Sequence, residues 1–290
     1  MNFAFKTAAI VASLVLLSGC DWFKAKGPEI PFAPYGENYS TKMDFARLEY
    51  EYPLMTTDLF KITPENIMNL EQEQIDQIYG RLTAGPIPDG AFDGNLFFPR
   101  GSSGNLRVAE IVGGLGKLAV NFKTQKIETL GRILWKGKVF YRDQRVLRNR
   151  IEDLAALKPL IDGDLSQIPK IDVDSKDAWL LFPAKLYCGQ SLLDSRRESI
   201  IIDYAFTDSI MGYRERPDYL AGRNGFKVRD EIRMIRPGFY LGRAYLNRVF
   251  ALNFILYNKE IAERDSELFK ENGAVPEDCW PGEQKRLAQR

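Results

Sequence analysis

Asp230 is the residue of this chain best placed to do chemistry. Phe226, Val228, Ile232 and Met234 flank it at period-two spacing. On a β-strand all five share one face, so Asp230 is the only charge on an otherwise apolar surface. A carboxylate there can accept a ligand's hydrogen bond, transfer a proton, or pair with a cation such as an arginine near a barrel rim. Arg229, Asp203 and Tyr204 are its candidate neighbours, and Trp135 is a further candidate for the same site. The chain has no histidine. That excludes Ser-His-Asp and Cys-His catalysis and every His-ligated metal site. Any acid–base chemistry would fall to carboxylates and tyrosines, and no catalytic set is assigned.

Cofactor and metal motifs are poorly formed. Gly114-Leu115-Gly116 has no convincing strand before it and no acid placed for a ribose. Gly116-Lys117-Leu118 lacks the Ser/Thr of a phosphate loop. Asp172–Asp177 lacks the glycine and the distal glutamate of a calcium loop. The expectation is no cofactor and no bound metal.

The elements that must position Asp230 are strands. Phe226–Ile235 alternates apolar and charged residues, with Lys227, Arg229, Glu231 and Arg233 on a second face that should meet water. Pro237-Gly238 suits a type II turn, and Phe239–Leu246 would return antiparallel. One dry and one wet face is the antiparallel pattern, and closure into a barrel would remove exposed edges. Ser199–Phe206, Trp179–Gln190, a hairpin within Gly131–Ile151 and a final buried run, Val249–Tyr257, add further strands. Asn105–Ile133 reads as a small-residue helix over the barrel, and Ala155–Asp177 as a loop-rich insert. Thr63 and Pro64 mark a helix start that runs to about Leu82 with a break near Leu70. Lys259–Asn272 reads as a polar helix capped by Gly273.

Composition is ordinary for a globular chain: 290 residues, 45% hydrophobic and 27% charged. Residues 1–19 contain Lys6 and no acid, which leaves 39 basic and 39 acidic residues beyond them. That neutrality argues against a nucleic-acid partner.

The N-terminus carries the most specific motif. A basic Lys6 precedes the ten-residue apolar run Ala8–Leu17, which is short for a membrane span. Leu17-Ser18-Gly19-Cys20 then resembles the lipobox of bacterial lipoproteins. The resemblance implies cleavage before Cys20 and lipidation of its thiol and amine. It also implies a membrane partner through that anchor, in the bacterial cell envelope facing the periplasm. Asp21 resembles an inner-membrane retention signal; without that effect the outer membrane is implied. Cys188 and Cys279 remain, and in an oxidising compartment either a disulfide or two free thiols is open.

A second resemblance rests on motif order. Gly90-Ala91-Phe92-Asp93-Gly94, Trp135-Lys136-Gly137-Lys138-Val139-Phe140, Ile202-Asp203-Tyr204 and Asp230-Glu231-Ile232-Arg233 follow one another. The chain thereby resembles small lipocalin-like domains that open with Gly-x-Trp-x-Gly, with Phe92 in the tryptophan position. The resemblance implies a barrel with an apolar interior and no particular activity.

The expected fold is mainly β with flanking helices: an antiparallel lipocalin-like barrel after an N-terminal helical segment. The organisation would be a signal peptide at 1–19, a tether at 20–60 and the helical segment at 61–85. The barrel would span 86–257, with a C-terminal helix and tail at 258–290. Three functions fit. One is an anchored barrel binding a lipid or another apolar or amphipathic small molecule. The second is a structural envelope lipoprotein that docks a protein partner of unknown identity. The third is a His-independent enzyme using Asp230.

Overall fold

In the computed structural model, residues 26–35, 43–101, 135–154, 165–173 and 176–282 are described. Cys20, Asp21, the Gly114–Leu118 motifs, all of Asn105–Ile133 and part of the Ala155–Asp177 insert lie outside them.

Among the described residues nine strands form one antiparallel sheet. They are β1 (Gly90–Phe97), β2 (Trp135–Tyr141), β3 (Val146–Ile151), β4 (Lys170–Val173), β5 (Lys176–Gln190), β6 (Glu198–Asp203), β7 (Val228–Arg236), β8 (Phe239–Leu246) and β9 (Val249–Tyr257). The order β3-β2-β1-β9-β8-β7-β6-β5 closes on itself through β3–β5 pairing, and β4 adds to the edge of β5. The result is a closed eight-stranded antiparallel barrel with flanking helices, the fold class the alternating strands predict.

Inward residues at period two fill the barrel. Phe92 (β1), Phe140 (β2), Leu147 (β3), Ile202 (β6), Ile232 and Met234 (β7) and Tyr240 (β8) belong to one buried cluster. Phe92 meets Phe140 edge to face at 5.5 Å and Tyr240 at 5.8 Å. Each such pair adds about 0.5–1.5 kcal/mol beyond burial. Gly94 is required beside them, because a Cβ there would lie 2.4 Å from the Trp135 ring.

The helices cover the outside. They are α1 (Phe45–Glu51), α2 (Thr56–Lys61), α3 (Gln72–Arg81), α4 (the single turn Glu215–Asp218) and α5 (Lys259–Asn272). The stretch read as a tether thus holds α1 and α2. The helix expected from Pro64 is a turn and a short 3-10 segment, Ile67–Asn69, before α3; Leu70 is extended and makes the break. Ile75, Ile78 and Leu82 pack on Phe97, Ile235, Phe239, Leu241 and Ile255, the outer side of β1 and β7–β9. Gly273 ends α5 in the left-handed conformation.

The charged face of β7 meets water only at its start, where Lys227 is exposed and Arg229 half-buried; the rest corrects the sequence expectation. Glu231 and Arg233 are fully buried. Arg233 donates to the backbone carbonyls of Tyr79, Asp194 and Arg197 and to Ser199 Oγ. Arg236 donates to the carbonyls of Leu59 and Ile62. The Tyr79 carbonyl and those of Leu59 and Ile62 lie at the C-terminal ends of α3 and α2, where cations are favoured; the Asp194 and Arg197 carbonyls lie in the connection from β5 to β6. The polar face is therefore an adhesive for the helical segment. Phe226, expected to face inward, precedes the strand and is exposed.

Candidate functional site

One end of the barrel holds a cavity of about 300 Å³. Its walls are mostly apolar, among them Leu96, Ile151, Phe182, Val228, Leu252 and Phe254. Its floor is polar and buried: Lys138, Asn149, Tyr204 and Asp230.

Local chain geometry puts these side chains inside. Asp230 follows the period-two phase of Ile232 and Met234. Asn149 shares a phase with Leu147 and Ile151 on β3, and Lys138 with Phe140 on β2. Trp135 is three residues from Lys138 and would face outward on a regular strand. A register shift between Trp135 and Gly137 brings it to the same side.

The polar groups form one connected network. Lys138 Nζ donates to Asp230 Oδ2 at 2.9 Å, Tyr204 OH at 2.8 Å and Asn149 Oδ1 at 2.9 Å. An ammonium has three hydrogens, so all are committed. Asn149 Oδ1 also accepts from Trp135 Nε1 at 2.9 Å, and its Nδ2 donates to Tyr204 OH and to the Phe182 carbonyl. Tyr204 OH donates to Asp230 Oδ2 at 3.4 Å. The rings of Trp135, Tyr204 and Phe254 surround the ammonium at 5.3–5.5 Å.

The electrostatics follow from this enclosure. Burial opposes a charge on Lys138, but Asp230 and Tyr204 outweigh it and leave its pKa raised. Burial pushes the Tyr204 phenol up to about 12. A protonated amine with every hydrogen in use is no nucleophile, and a phenol near 12 is a weak acid at neutral pH. The arrangement suits recognition better than proton transfer.

Phe182 sits in the middle of β5 with φ 51°, a conformation costly for a bulky residue, on the order of 1–3 kcal/mol. Its N–H donates to Asp218 Oδ1 at 2.7 Å, and its carbonyl accepts from Asn149. Those two bonds hold the bend at which β5 exchanges β4 for β6 as its neighbour, and they turn the Phe182 ring to the cavity.

Of the residues singled out in the sequence, Asp230, Tyr204 and Trp135 meet in this site. Arg229 and Asp203 do not. They face each other across β6 and β7 on the outer side, where Arg229 bonds Glu231 and the Gln190 carbonyl and Asp203 accepts from Tyr187. The cation on Asp230 is Lys138, not an arginine. Sequence reasoning missed Lys138 and Asn149. Their signal is a polar residue in the apolar phase of a strand, the same signal that singled out Asp230.

At the other end of the barrel Cys188 and Cys279 form a disulfide with Cα atoms 5.3 Å apart. Glu198 lies near both sulfurs, the one cluster of metal-ligand type among the described residues. The sulfurs are bonded to each other and offer no thiolate. Among the described residues no helix is long and apolar enough to cross a membrane.

No protein-family model and no curated protein matches the chain. A solved structure of a protein from Thermomonospora curvata is similar to it at 13% identity, over 66% of this chain and 88% of that one, with a TM-score of 0.34. Likeness at that level carries no inference about fold or ligand.

Proposed function

We propose that this protein is a membrane-anchored envelope lipoprotein whose lipocalin-like barrel binds an apolar or amphipathic small molecule. The observation that carries the binding reading is the cavity of about 300 Å³ at the barrel mouth, with apolar walls around a small buried polar cluster. That combination, largely hydrophobic lining with a few fixed polar groups, is the ordinary form of a small-molecule site. The anchor rests on the lipobox resemblance at Leu17–Cys20.

Binding is tested with N-phenyl-1-naphthylamine, a neutral apolar fluorophore. Its emission should rise on adding the protein. Ala244→Trp, which fills the cavity from β8, should fold normally and abolish the rise. A variant that enhances the dye as wild type does would refute the cavity as the site. The anchor is tested by Cys20→Ala, which should leave the precursor uncut and free of palmitate label; a labelled variant would refute it.

A further inference from the structure

The hydrogen bonds of the floor define what polar end a ligand can have. Among the described side chains that line the cavity, every donor is already in use. Lys138 spends three hydrogens, Asn149 both amide hydrogens, Trp135 its indole N–H and Tyr204 its hydroxyl. The acceptors are not exhausted. Both hydrogen bonds to the Asp230 carboxylate fall on Oδ2. Oδ1 has no partner among the described residues. Unlike Glu231 Oε2, it is not an unpartnered atom sealed from solvent, and Asp230 lines the cavity. Among the described residues the cavity therefore presents an acceptor and no free donor.

Charge narrows the ligand further. Lys138 and Asp230 are paired at 2.9 Å, so the floor is close to neutral. A carboxylate would approach Oδ1 with no hydrogen to bond and a like charge beside it. An ammonium would meet Lys138, which already sits on the same carboxylate. A neutral donor meets neither obstacle. We propose that the cavity selects an apolar molecule ending in a hydroxyl, which donates to Asp230 Oδ1, over the same chain ending in a carboxylate. The inference rests on the cavity reading above and adds the chemistry of the ligand's polar end.

Three probes with an eight-carbon chain separate the possibilities by calorimetry or dye displacement on the full-length protein at pH 8: 1-octanol, 1-methoxyoctane and octanoate. Octanol donates, the ether cannot, and octanoate is charged. Octanol should bind about tenfold or more tightly than the ether, the value of a hydrogen bond to a charged acceptor, and octanoate should bind weakest. Equal binding of octanol and ether, or octanoate binding as tightly as octanol, would overturn the hydroxyl selection while leaving the cavity reading intact. Failure of all three probes together with the dye would overturn both. The double variant Lys138→Met/Asp230→Leu should lose the preference for octanol over the ether; a retained preference would also overturn the assignment to Asp230. If that variant does not fold, the wild-type ranking of octanol against ether decides alone.

Discussion

Lys138 and Asp230 meet at 2.9 Å inside the barrel although 92 residues separate them in the chain. They come from β2 and β7, which are not neighbours in the sheet, so the pair spans the interior. Both side chains are buried, at 3% and 6% exposure. A buried pair of this kind is costly to break and cheap to replace.

Asp230→Asn or Lys138→Met alone should therefore destabilise by about 3–5 kcal/mol, because each leaves a partner uncompensated. Lys138→Met/Asp230→Leu should recover most of that loss, or exceed wild type. Denaturant melts of the three variants measure the coupling. Additive losses in the double variant would show that the pair does not act as a unit.

Outside the barrel, Arg243 of β8 pairs with Asp76 of α3, and both are buried. Burial disfavours the Arg243 charge, yet Asp76 and Tyr245 reverse that and hold it firmly protonated. Gln72 donates to the same Asp76 oxygen at 2.7 Å. Asp76→Ala should cost about 3–5 kcal/mol and loosen α3 from the sheet. Amide exchange across Gln72–Arg81 should then quicken well before exchange in β8.

The disulfide bridges a sequence separation of 91 residues. On the chain-entropy model a loop of that size adds about 4–5 kcal/mol by constraining the unfolded chain. Reduction should lower stability by about that amount, and Cys279→Ser should show no further change with reductant. The tail has other ties. Gly85 N–H donates to Glu277 and Ile87 N–H to Asp278, each at 2.7 Å. The reduced protein should accordingly stay folded with the tail docked, and protease should not cut near Pro276 under native conditions.

Tyrosine ionisation should report the core. Burial pushes Tyr204 and Tyr245 up to about 12 and raises Tyr79 and Tyr240 too. Unfolded tyrosines ionise near 10. Between about 10 and 12 the unfolded chain thus holds fewer protons than the folded one, and stability falls as pH rises. This contribution is whole below about pH 10 and is lost toward pH 12. Absorbance at 295 nm should show an early class near pH 10 and a late class that appears together with loss of ellipticity. A single smooth titration of all 13 tyrosines near pH 10 would contradict the packing.

The sequence by itself determined which side chains share a face. The alternation of Val228, Asp230, Ile232 and Met234 sets the inner phase of β7, Pro237-Gly238 makes its turn, and Gly273 ends α5. These are local properties, carried by two-residue periodicity and by backbone angles that particular residues favour. Enough strands of that kind specify a mainly β barrel. Partners across space are not local. Only closure of the sheet brings β2 opposite β7 and gives Asp230 a lysine. Only the register shift after Trp135 turns that ring to the same side as Lys138. The outer face of β7 reads as solvated because its residues are charged. Its Arg233 and Arg236 are buried because they donate to carbonyls at the ends of α3 and α2, which side-chain patterning does not show.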